Sequence, residues 1–86
     1  MVLKIDRGSK RGRTILRLSG RIQSAQLEQL KMQMEGIPEA IVDLKDVRLV
    51  DRDVVCFLGL CELNGAELQH CSAYIREWIL KERAEP

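Results

Sequence analysis

Aromatic residues are almost missing from this chain, which has one Trp, one Tyr and one Phe in 86 residues. No rings interleave with the basic residues, so the sequence offers no stacking platform for unpaired bases. Cysteines number three. An odd count excludes a complete disulfide framework, and all three fall in predicted core elements, where free thiols are commonly buried. Cys61, His70 and Cys71 are the sole candidate zinc ligands. They lack a fourth ligand and any C-x-x-C pair, so no metal or other cofactor is expected. The longest apolar run, Val54–Cys61, is far short of the roughly 20 residues that span a bilayer. The N-terminus has no apolar stretch of signal-peptide type, so a cytoplasmic protein without a membrane partner is expected.

Eighty-six residues make one domain, 1–86, with 83–86 expected to fray. A chain of this size buries only about 60–65 % of its unfolded surface. The near-neutral total conceals an asymmetry. Residues 1–21 hold seven Lys and Arg against one Asp, net +6, and residues 22–86 are net −5. Lys10, Arg11 and Arg13, set around Gly8 and Gly12, read as a solvated hairpin tip. They also form a candidate patch for an acidic partner.

Val2–Asp6 alternates as a strand, Arg7–Gly12 is rich in Gly and charge and reads as the turn, and Thr14–Ser19 is the returning strand. Ser24 is placed to cap a helix over Ala25–Glu35 with Leu27, Leu30 and Met34 on one stripe. Gly36 stops that helix and Pro38 prevents its resumption. Glu39–Leu44 is a strand, apolar on both faces but for Asp43, a pattern suited to coverage by helices. After a short connection, Val47, Leu49 and Val50 lead to Asp51. Asp51 is an N-cap for a helix over Arg52–Leu63, which Asn64-Gly65 ends. This helix is apolar nearly all round, so it is either wedged in the core or carries an interface, and Gly59 within it signals close packing. Ala66–Cys71 is a last strand. Ser72 caps a helix over Ala73–Arg83 with Ile75, Trp78 and Ile79 buried.

The order β-β-α-β-α-β-α predicts an α/β domain: a mostly parallel four-stranded sheet with an N-terminal antiparallel hairpin. Ligands and partners of such sheets bind at the carboxyl ends of the strands. The loops Gly20–Ser24, Asp51–Asp53 and Cys71–Ala73 should therefore gather on one edge. Free backbone N–H groups at the start of the Arg52 helix favour anions there.

Three pieces carry a resemblance: Leu18-Ser19-Gly20-Arg21-Ile22, then Ile41-Val42-Asp43-Leu44 followed by Val47 and Leu49-Val50-Asp51, then Gly65-Ala66-Glu67-Leu68. In this order and spacing, over roughly residues 13–80, they resemble the STAS domain of bacterial anti-sigma factor antagonists. The resemblance implies a switch loop at Asp51-Arg52-Asp53, where the family usually has Asp-Ser-Ser-Gly. It also implies a partner kinase, itself an anti-sigma factor, that phosphorylates the first serine and so releases the complex. This chain departs from the pattern at its centre. Asp51 matches the family's Asp, but Arg52 stands at the acceptor position, Asp53 at the second serine and Val54 at the glycine. Arg52 has no hydroxyl to phosphorylate. Gln23 replaces the Asp that follows strand two, and many relatives continue past the third helix.

The expected function is that of a non-enzymatic interaction module, an antagonist-like regulator without the usual phosphoswitch. Gln23, Ser24, Asp51, Arg52, Asp53 and Ser72 are its candidate partner-binding residues, and Ser24 and Ser72 are alternative positions for modification. The expected partner is an anti-sigma factor or kinase-like regulator, with a second copy of the chain as another candidate. The alternatives are a small-ligand or nucleotide sensor and, less expected, nucleic-acid binding through the basic hairpin. In the loop, Asp51 and Asp53 suit a helix cap, with Arg52 either solvated or facing an acidic group on a partner. A catalytic Asp pair is not expected, since residues at i and i+2 of a helix face apart.

Overall fold

A computed structural model describes residues 3–37 and 39–84. The expected strand residue Val2, the role of Pro38 and the end of the tail at Glu85 and Pro86 lie outside the described residues. The elements are β1 (Leu3–Lys10), β2 (Arg13–Ile22), α1 (Ser24–Met34), β3 (Ile41–Val50), α2 (Arg52–Leu63), β4 (Glu67–Gln69) and α3 (Ala73–Ala84). They form a small α/β domain with one mixed sheet of order β1-β2-β3-β4, in which β1 and β2 are antiparallel and the other pairs parallel.

The order explains where the helices lie. Each parallel step, β2 to β3 and β3 to β4, moves the same way across the sheet. Right-handed crossovers then put α1 and α2 on the same face. All three helices bury their stripes in one core: Leu30 and Met34 of α1, Val54, Val55, Leu58 and Cys61 of α2, and Ile75 and Ile79 of α3 pack with Leu16, Leu18, Val42 and Leu44 of the sheet. Ile15 and Ile41 are neighbours on the opposite face, outside that core. The expectation that β3 is covered on both faces is thus corrected. Ile41 is shaded by the long polar chains beside it, among them Lys10, Arg13 and Glu67.

The hairpin is longer and its turn tighter than its composition suggests. The ladder runs unbroken from Leu3↔Gly20 to Lys10↔Arg13, leaving Arg11-Gly12 as a two-residue turn. Both residues have positive φ, 53° and 80°, as a turn matched to the twist of a hairpin requires. Arg7–Lys10, expected in the turn, are strand. β3 also outruns its prediction. Two irregularities against β2, between Arg17 and Ser19 and between Gly20 and Arg21, each insert one extra β3 residue. These bulges hide the upper half of the strand from an alternation test and blunt the edge that β4 leaves unpaired. β4 itself keeps only three residues, opposite Ile41–Asp43.

Helix α2 has the expected bounds, and it is buried along one side, at Val54, Val55, Leu58, Gly59 and Cys61. Gly59 is buried, and a Cβ there would meet Ile79 at 3.4 Å, so α3 packs directly on its backbone. Glu62 accepts from Arg76 Nη1 and Arg83 Nη2, both at 2.8 Å, and Arg83 also donates to the Gly59 carbonyl at 3.0 Å. These guanidinium bonds hold the Glu62 carboxyl below its ordinary range, with Arg76 the larger contributor. Outside this seam Leu60 and Leu63 remain exposed. Cys56 is exposed as well, a correction to the buried-thiol reading, whereas Cys61 is buried and Cys71 half-buried.

Two predictions follow from these elements. Arg11→Asn, which relaxes a left-handed residue at an Asn-Gly turn, should raise stability by about 0.5–1 kcal/mol in urea unfolding; a loss of stability would contradict the turn geometry. Native-state labelling with iodoacetamide should modify Cys56 first and Cys61 last, since burial pushes the Cys61 thiol up to about 11.

Candidate functional site

The parallel register pairs Ile22 with Val50, so β2 and β3 end side by side and each hands over to a helix. Two helix N-termini therefore meet at one corner, each with unsatisfied backbone donors. Asp51 serves both. Its Oδ1 accepts from Val54 N at 3.1 Å, capping α2, and its Oδ2 accepts from Ser24 N at 2.6 Å, at the first turn of α1. The Ser24 hydroxyl lies 2.9 Å from Asp51 Oδ2 and 2.7 Å from Asp53 Oδ2. Having one proton, it donates to one carboxylate at a time. Burial raises the Asp51 pKa, but the bonds from Val54 N, Ser24 N and the Ser24 hydroxyl outweigh it, and the carboxyl sits below its ordinary range.

Ser24 is thereby moved from its expected role. The cap residue of α1 is Gln23, whose N–H donates to Gln26 Oε1 at 3.1 Å. Ser24 instead becomes the first helical residue and turns its donors to Asp51. The third expected loop does not reach this corner. β4 ends opposite Asp43, and β3 continues seven residues further, from Asp43 to Val50, about 20 Å of extended chain. Ser72 stays with its own helix, accepting from Ile75 N at 3.3 Å. His70, in a left-handed conformation with φ 54°, ties the end of β4 to β3 through Nδ1 and Asp43 Oδ1 at 2.9 Å.

Arg52 finds its acidic group inside the molecule. Its Nε donates to Glu82 Oε1 of α3 at 2.7 Å, and the Glu82 side chain is 13 % exposed. Around this pair runs an open groove of about 610 Å³ lined by Arg52, Tyr74, Glu77, Trp78, Lys81 and Glu82. Tyr74 and Trp78 stand one helical turn apart, ring centroids 5.6 Å from each other. Two of the chain's three aromatic residues thus share a surface with Arg52. Trp78, expected in the buried stripe, is half-buried and packs against the core while also lining this groove, and Tyr74, which the stripe does not include, is exposed. Their i, i+4 spacing beside a charged face is the signal that marks them.

Of the basic candidates at the hairpin tip, Arg13 is bound to the chain itself. It donates to the Glu39 carbonyl from Nε at 3.1 Å and Nη2 at 2.6 Å, and reaches Glu67 Oε1 at 3.4 Å. Lys10 and Arg11 are exposed beside it. No group of three or more His, Cys, Asp or Glu placed to hold a metal ion occurs among the described residues, and Cys61, His70 and Cys71 do not form one.

Asp51→Ala should cost about 1 kcal/mol at pH 7 by urea titration, and its effect should couple to that of Ser24→Ala in a double-mutant cycle. The sign with pH is set by the depressed folded pKa. The stabilisation is complete above the unfolded carboxyl's range near about pH 4 and disappears as pH falls through the folded value, so wild type and Asp51→Ala should converge in acid. A gap that persists in acid would remove Asp51 from this role. Comparison with known protein families and with curated proteins finds no match to the chain.

Proposed function

We propose that the chain is a non-catalytic protein-interaction module of STAS-like type. It docks through the corner of Ser24, Asp51 and Asp53 and the adjoining groove of Arg52, Tyr74 and Trp78. The observation that carries the reading is that groove. Arg, Tyr and Trp are the residues over-represented where binding energy concentrates in protein interfaces, and here an exposed Tyr, a half-exposed Trp and Arg52 line one surface. The element order and the antiparallel hairpin followed by parallel strands support the STAS-like frame.

On this reading the partner is an anti-sigma factor or kinase-like regulator, and binding is constitutive. Arg52 occupies the acceptor position of the resemblance and is held by Glu82, while Asp51 and Asp53 stand close to the Ser24 hydroxyl. The loop is pinned to α1 and α3 at once, so it presents one fixed surface in place of a phosphate-controlled one.

Calorimetry against a panel of purified kinase-type anti-sigma factors tests this. A binder should be found whose affinity is the same before and after incubation with ATP, and Tyr74→Ala should weaken it at least 10-fold with the fold intact by circular dichroism. Absence of binding across the panel, or an affinity that Tyr74→Ala leaves unchanged, overturns the proposal. Intact mass after the ATP incubation should show no phosphate between residues 51 and 53.

A further inference from the structure

The charge asymmetry of the sequence becomes a surface once the hairpin ladder is known. On β2 the residues Arg13, Ile15, Arg17, Ser19 and Arg21 alternate with the core residues Leu16, Leu18 and Ile22, so they share the sheet face that no helix covers. The register adds Lys10 opposite Arg13 and Lys4 opposite Ser19 on that face, with Asp6, opposite Arg17, as the hairpin's one acid. Five cations therefore line one side of the two-stranded ribbon. The arginines are four residues apart, about 13 Å each and about 26 Å in all.

These cations are weakly compensated. Arg17 lies 4.0 Å from Asp43 with 71 % of its side chain exposed, and Lys4 lies 3.9 Å from Asp6 with both exposed. Exposed pairs of this kind hold their partners loosely. Arg13 is committed to Glu39 and Glu67 and contributes charge alone. Among the described residues, the ribbon's single apolar residue on this face, Ile15, is 8 % exposed. Leu49, opposite Arg21 on β3, is exposed at the margin of this surface, but the cations surround no apolar centre of the kind that a polar rim encloses in a protein-binding patch. The surface also has no aromatic ring on which an unpaired base could stack.

We infer that the open face of the β1–β2 ribbon binds the phosphate backbone of duplex nucleic acid, without regard to sequence, through Lys4, Lys10, Arg17 and Arg21. A duplex carries one negative charge per about 1.7 Å of axis, so the ribbon lies along about 15 of them. Acidic Asp43, Asp46 and Glu67 on the β3–β4 side of the same face confine the contact to the hairpin. This surface lies apart from the Arg52–Tyr74–Trp78 groove, and the inference does not rest on the function proposed above.

The test is fluorescence anisotropy with a short labelled DNA duplex of arbitrary sequence, titrated between 50 and 200 mM salt. Four phosphate contacts predict a slope of log K on log salt of about −3.6, an affinity loss of about 100-fold over that range. A second duplex of different sequence should bind equally well. Lys4→Gln, Lys10→Gln, Arg17→Gln and Arg21→Gln together should abolish binding, and Arg17→Lys with Arg21→Lys should retain it. Should the fourfold variant misfold by circular dichroism, Arg17→Gln and Arg21→Gln singly should each reduce the slope by about 0.9. Lack of binding at 50 mM salt, a salt-independent affinity or undiminished binding by the Gln variants overturns the inference. Equal competition by polyglutamate does so too, by assigning the face to acidic polypeptides.

Discussion

Parallel pairing between β2 and β3 is the constraint from which the rest of the molecule follows. It joins segments far apart in sequence, and its register brings Ile22 level with Val50. Two strands that end together place two helix N-termini together, and one carboxylate, Asp51, then satisfies donors from both. Had the strands ended at different levels, each helix would need its own cap and Ser24 would be an ordinary surface residue. The same pairing steps the chain one way across the sheet, which gathers the helices on one face and leaves the other open.

The two faces divide the chemistry. The helical side holds the apolar core and, at its margin, the Arg52–Glu82 pair with Tyr74 and Trp78. The open side holds the ribbon cations and the ion pairs of Asp43 and Glu67. Neither surface depends on the other for its geometry.

What could be read from the sequence was whatever rests on local chemistry. The bounds of α2 came out because Asp51 at one end and Asn64-Gly65 at the other act within a few residues, through an Asx cap and a left-handed glycine. The element order came out because strand and helix periodicities differ. Features that rest on register were not legible. The extra residues in β3 break its alternation, so its upper half looked like connection. The hairpin's last turns are built from Gly8, Ser9 and Lys10, poor strand formers held extended by their partners Ile15, Thr14 and Arg13. The shift of the α1 cap from Ser24 to Gln23 is decided by Asp51, twenty-seven residues away. The spacing of Tyr74 and Trp78 marks them as a pair, but the groove they share with Arg52 exists because α3 crosses the start of α2 at Glu82.

The brevity of β4 has a consequence for how the molecule comes apart. Three residues join it to the sheet, opposite Ile41–Asp43, and α3 is fastened through α2 by Glu62, Arg76 and Arg83. Residues 67–84 thus form a unit that can detach while the β1–β2–β3 sheet stays paired, a sub-global opening below the cost of full unfolding. Release would bare the β3 edge at Ile41–Asp43 and the buried flank of α2 at Val55 and Gly59. An edge freed in that way accepts the same segment from a neighbouring copy as readily as its own. Strand exchange between copies is the failure that this short pairing invites at high concentration, and the burial of Ile75 and Ile79 together with the Glu62 cluster stands against it.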